Sequence, residues 1–155
     1  MATGLTFKGG QQLKRDDFYR DAVQNLEQKM VEVFGDTAKD VDAVAPVNHH
    51  HCEGNYAREI HIQAGTCMIG KIHKHEHINV LSQGKCLVVT EDGRELLEAP
   101  KTWISKPGIK RAVYAYSDVI WTTIHPTTET DIDKIEKEVI AESYDDLNLF
   151  LEHDV

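Results

Sequence analysis

Apolar positions along the chain change period twice. Tyr19, Ala22, Val23, Leu26, Met30, Val33 and Phe34 recur at three- and four-residue steps, which predicts an amphipathic helix. Asp16 or Asp17 is placed to cap it and Gly35 to end it. From 56 to 125 the pattern turns to short alternating runs at 57–63, 68–75, 78–81, 85–90, 94–97, 102–105, 111–116 and 119–124. Asp92-Gly93 between two runs is a hairpin signal, and Pro107-Gly108 marks another turn. Runs this short predict an antiparallel sandwich or barrel rather than βαβ units, and eight of them match a jelly roll. Helical spacing returns in the tail. Ile132, Ile135 and Val139 follow a cap at Thr130 or Asp131; Leu147, Phe150 and Leu151 follow a cap at Ser143.

The pattern divides the chain into an N-terminal helix and connecting arm (1–55), a β-barrel (56–126) and acidic C-terminal helices (127–155), which dock on the barrel or on a partner subunit. The arm contains Pro46 and Asn48-His49-His50-His51. Neighbours on a strand face opposite ways, so three adjacent histidines cannot share a strand face, and the run reads as an exposed polar loop. His50 is held in reserve, because a loop there could reach over a barrel mouth.

At 155 residues, 41% hydrophobic and 28% charged, the composition is that of an ordinary single globular domain. No apolar run approaches the roughly 18 residues of a membrane span, and the N-terminus lacks an apolar signal core, which predicts a cytoplasmic protein without a membrane partner. Cys52, Cys67 and Cys86 share no close spacing and read as buried, reduced thiols. A net charge of −9 argues against nucleic-acid binding. The acidic residues crowd 129–154, whereas Lys101, Lys106, Lys110 and Arg111 cluster where an anionic small ligand would be drawn.

The chemistry concentrates between Gly65 and Gly84. If the chain is extended through His77, then Lys71, His73, His75 and His77 project from one face. Neutral imidazole is the commonest protein metal ligand, and three at alternate positions suit a divalent transition metal such as Zn, Fe, Ni or Mn. His125 ends the last strand on the face of Trp121 and Thr123. His61 reads as an ordinary strand histidine with a partner, and His153 as exposed.

Gly65, Lys71, His73, His77 and Gly84 fit the spacing G(x)5HxH(x)3–4E(x)6G, and Lys106-Pro107-Gly108-Ile109-Lys110-Arg111 loosely matches a second motif with a PxG turn. In these stretches the chain resembles the cupin family over roughly 56–125. The resemblance implies a mainly-β cupin jelly-roll barrel, here with flanking N- and C-terminal α-helices. It places the family's four converging ligand positions at Lys71, His73, His77 and Arg111, two of which are cations that do not bind metals when protonated. Several short stretches also resemble small cupins of tailed-phage genomes, which implies host cytoplasm or virion as location.

Two sites fit. In one, His73, His77 and His125 hold a metal, His75 or His50 completes the shell, and Lys71 and Arg111 anchor a carboxylate or phosphate beside it. In the other, Lys71, Arg111, His75 and the remaining histidines form a metal-free anion pocket. Arg111 could instead pair with Glu59 or Glu76. The functional expectation is a cupin that binds a metal, a small anionic ligand or both in a His-lined barrel, with enzymatic activity left open. The alternative is a structural or accessory module of a phage particle with a vestigial site. Either is expected to form a homo-oligomer, through apolar residues of the flanking helices that include Phe18, Phe34, Leu149 and Phe150.

Overall fold

The computed structural model describes residues 9–34 and 45–153, with side chains of the first helix described from Asp17 to Val33. Gly35, the arm up to Val44 and the side chains of Asp16 and Phe34 lie outside the described residues. Helix α1 runs Gly9–Phe34, so it starts well before the caps expected at Asp16 or Asp17. Its apolar stripe is only partly used. Val23 is buried, while Phe18, Leu26 and Val33 face solvent. Polar contacts tether it to the barrel: the Tyr19 hydroxyl reaches the carbonyls of Val89 at 2.8 Å and Lys110 at 3.0 Å, and Lys110 pairs with Glu27 at 2.6 Å.

The strands are β1 (Val47–Cys52), β2 (Asn55–Ile62), β3 (Cys67–Ile69), β4 (Ile72–His73), β5 (His77–Gln83), β6 (Lys85–Thr90), β7 (Gly93–Glu98), β8 (Lys101–Ser105), β9 (Ala112–Ala115) and β10 (Val119–Pro126). They form a five-stranded sheet ordered β1-β2-β10-β5-β8 facing a four-stranded sheet ordered β3-β9-β6-β7, all antiparallel. Ile60, Ile62, Met68, Leu81, Cys86, Val88, Val113, Val119 and Trp121 fill the space between the sheets. The expected hairpin at Asp92-Gly93 closes β6 on β7.

Three expectations need correction. The barrel begins at Val47 rather than Tyr56, because Asn48-His49-His50-His51 is not a loop but an edge strand paired residue for residue with β2. Its side chains are nearly all exposed, so it carries no apolar alternation to betray it. The run expected at 68–75 is broken: β3 stops at Ile69, β4 holds only Ile72–His73, and residues 74–76 bend away before β5. Cys86 is buried as expected, but Cys52 and Cys67 are exposed; all three thiols are free.

The tail packs onto the barrel of its own chain. Helix α2 (Ile132–Val139) is capped by Asp131, whose side chain accepts the amide of Lys134, and buries Ile135 and Val139 against Tyr56. Strand β11 (Ile140–Ala141) pairs with β4, opposing Ile140 to His73. Helix α3 (Tyr144–His153), entered at Ser143, sets Leu147 against Ile72. Among the described residues no helix is long and apolar enough to cross a membrane.

Candidate metal centre

β4, β5 and β10 each deliver one histidine to a single point. Ligand nitrogens of His73, His77 and His125 lie within 4.8 Å of one another, and the ring centroids are 4.1–5.0 Å apart. β5 alternates inward through His77, Asn79 and Leu81, and its pairing with β10 carries His125 in from the adjacent strand. His73 arrives because β4 is pinned on three sides. Its own carbonyl accepts Gly108 N–H at 2.9 Å, Lys74 N–H donates to Val139 O at 2.8 Å, and β11 pairs alongside.

Burial holds all three imidazoles neutral. His73 is pushed well below the usual histidine range by desolvation, and then by the neighbouring His77, His125, Arg111 and Arg58. Burial also lowers His77, partly offset by its bond to the His75 carbonyl, and Arg111 lowers it further. His125 is brought down to about 4, by burial first and then by His77, His75 and Arg58. The His77 Nδ1 contact to the His75 carbonyl, at 3.1 Å, requires the proton on Nδ1 and leaves Nε2 with a free lone pair. That Nε2 is buried without a hydrogen-bond partner, as are Nδ1 of His73 and Nδ1 of His125. Each orphaned buried polar atom costs about 1–3 kcal/mol, so three at one point is an expensive arrangement for packing alone. A divalent metal fits this donor set: three neutral nitrogens, deprotonated and converging.

The other candidate residues divide. Lys71 and Arg111 line the same pocket as the histidines. Lys71, however, is paired with Glu136 of α2 at 2.5 Å, both half-exposed, so its charge is already matched. Arg111 pairs with neither Glu59 nor Glu76. Its Nη2 donates to Ser105 Oγ, and its guanidinium lies 6.0 Å from the Trp121 ring centre. His75 is a correction. The bend at 74–76 ends the alternation, so His75 leaves the pocket and meets Phe150 edge-on at 5.0 Å. His50 stays on the outer edge strand beside Glu59 at 3.6 Å, away from the pocket, and His61 is bonded to the same carboxylate at 2.6 Å.

Two further residues belong to the site. Asn79 and Ser105 are fully buried and join Trp121 to Arg111: Trp121 Nε1 donates to Asn79 Oδ1 at 3.0 Å, and Asn79 Nδ2 donates to Ser105 Oγ at 2.7 Å. The available signal was Asn79 two places after His77 on an inward-facing strand. Ser105 carried none, since it meets His77 only through the β5–β8 register.

No family model matches the chain, and no curated protein matches it in sequence. Solved structures do resemble it. A cupin 2 domain-containing protein from Halorhodospira halophila has 15% identity and a TM-score of 0.50, over 72% of this chain and 79% of that one. A cupin superfamily protein from Desulfitobacterium hafniense has 8% identity and a TM-score of 0.46, over 53% and 76%. An acetylacetone dioxygenase from Acinetobacter johnsonii has 16% identity and a TM-score of 0.44, over 52% and 58%. The fold is a cupin jelly roll with flanking helices, and at such identities the likeness is one of fold alone.

Proposed function

We propose that this protein is a metal-binding cupin that holds one divalent transition metal on His73, His77 and His125 and takes a small anionic ligand at the metal's open side. The observation that carries the reading is the convergence of three neutral imidazoles, His77 and His125 buried and His73 partly so, each with a buried nitrogen left unpartnered. Three protein nitrogens leave coordination positions free, as in catalytic rather than structural sites. A metal bound there supplies Lewis-acid polarisation of a ligand oxygen. The chain's own part is to keep the imidazoles deprotonated by burial, to fix the His77 tautomer through the His75 carbonyl, and to wall the site from water with Ile135 and Val139 of α2.

Elemental analysis of untagged protein, purified without chelator, tests this. The expected result is close to stoichiometric Zn, Fe, Ni or Mn, with affinity reduced at least about a hundredfold in His73→Ala or His125→Ala, since each removes one of three ligands. Metal-free protein that takes up none of the four, or variants that retain wild-type affinity, would overturn it.

A further inference from the structure

We infer that the ligand is a small carboxylate with an apolar body, its carboxylate seated on Arg111 and its hydrocarbon part on the aliphatic wall formed by Ile60, Ile62, Met68 and Val113. This names the ligand class of the pocket just described and rests on that reading, but the Arg111 contact is testable with the metal removed.

The first observation is an uncompensated cation. Lys71, Lys110 and Lys74 each sit against a carboxylate: Lys71 on Glu136 at 2.5 Å, Lys110 on Glu27 at 2.6 Å and Lys74 on Asp146 at 3.9 Å. Arg111 has no carboxylate partner among the described residues: its side-chain neighbours are the Ser105 hydroxyl, the face of Trp121 and the Tyr19 phenol. A partly desolvated guanidinium without a counter-charge is costly, and a ligand anion removes that cost. Three neutral imidazoles likewise leave a bound metal its full charge, which adds to the pull on an anion.

The second observation is that Arg111 is held ready. The relay Trp121–Asn79–Ser105 consists of buried, mutually bonded groups on β10, β5 and β8, and it ends on one Nη of the guanidinium. That uses one of five N–H donors and leaves a fork that a carboxylate fits in a bidentate manner. Asn79 and Ser105 are therefore positioning residues acting through Arg111. Thr123 Oγ1, also on the pocket wall and buried without a partner, offers a second polar contact.

The third observation is the remaining wall. β2, β3 and β9 contribute an aliphatic stretch of the lining, Ile60, Ile62, Met68 and Val113, beside Tyr56 and Arg58 of β2. Such a wall favours a ligand with a hydrocarbon body over a strongly hydrated phosphate, which has no apolar part to set against it.

Calorimetric titration of hexanoate, methyl hexanoate, acetate and inorganic phosphate into metal-loaded and EDTA-stripped protein decides the matter. Hexanoate is expected to bind saturably, with the ester, acetate and phosphate each at least about tenfold weaker, the scale of one charge-assisted contact or a few buried methylenes. Arg111→Met should weaken hexanoate about tenfold or more without changing metal content, and Arg111→Lys should fall between. Ser105→Ala should weaken hexanoate and Ser105→Thr restore it, an effect general destabilisation would not produce. Equal affinity for ester and acid, phosphate binding as tight as hexanoate, or indifference to Arg111→Met each overturns the inference. If Arg111→Met does not fold, the wild-type comparison of acid with ester still decides. Hexanoate binding that survives in a protein taking up no metal supports the carboxylate site and sinks the metal reading. Full metal uptake without discrimination among the four probes does the reverse.

Discussion

His125 shows how one residue can be neutral by construction. It is almost fully buried at the end of β10, and burial together with His77 brings it down to about 4. In the unfolded chain it titrates near the ordinary value of about 6.5. Between those two values the unfolded state binds a proton that the folded state refuses. Stability therefore falls as pH drops through that window and is retained above it. His73 and His77 are shifted in the same direction and add to the slope. Carboxylates with lowered values, such as Glu59, weaken the fold only further into acid, so the upper part of the window belongs to the histidines. In chelator-stripped protein the urea midpoint should decline from pH 6.5 towards 4.5, less steeply in His125→Asn. A midpoint flat across that range would contradict three imidazoles held neutral in the fold. Added metal should lift the midpoint most at neutral pH, where protons do not compete for the nitrogens.

At the scale of elements, the tight link between β5 and β6 depends on Gly84. Its φ is +91°, and a Cβ there would sit 2.3 Å from the carbonyl oxygen of Asp118, which is backbone and cannot swing aside. Gly84→Ala is expected to cost about 2 kcal/mol or more, read as a lowered denaturation midpoint with an unchanged slope. An Ala variant as stable as wild type would mean that the β5–β6 turn and the loop before β10 do not pack as described. Gly84 was legible as a motif glycine, as were β5 to β10, whose alternation and turn residues are local signals. β1 was not legible, because an edge strand exposed on both faces has no apolar period to detect. The inward pointing of His73 and His77 was readable from spacing, but the expulsion of His75 was not. It depends on a bend fixed by Val139 and Gly108, residues far away in sequence. Lys71 was read as a ligand anchor for the same reason: its partner Glu136 lies sixty-five residues downstream on α2. The Trp121–Asn79–Ser105 relay joins three strands, and no linear pattern announces such a juxtaposition.

For the whole molecule, the unresolved balance is between charge and apolar surface. The chain carries a net charge of −9, which pushes copies apart at low ionic strength. Yet it leaves Phe18, Leu149 and Leu151 of the flanking helices exposed, and Ile104, Tyr114 and Tyr116 on the barrel as well. The C-terminal segment uses Ile135, Val139 and Leu147 to close its own barrel, so the exposed residues of α3 are left over after intramolecular docking is complete. Covering such residues against a second copy would contribute in proportion to the apolar area removed from water. We therefore expect a homodimer or larger assembly. Because the attraction is apolar and the opposition is electrostatic, association should strengthen with added salt, which screens the repulsion and leaves the apolar contact intact. Light scattering across a salt series, at tens of micromolar protein, measures this directly. Phe18→Ser combined with Leu149→Ser should shift the assembly towards monomer without altering metal content, since neither residue touches the histidine pocket. A wild-type monomer at high micromolar concentration and high salt would defeat the expectation. Assembly weakened by salt would point instead to contacts between charged groups.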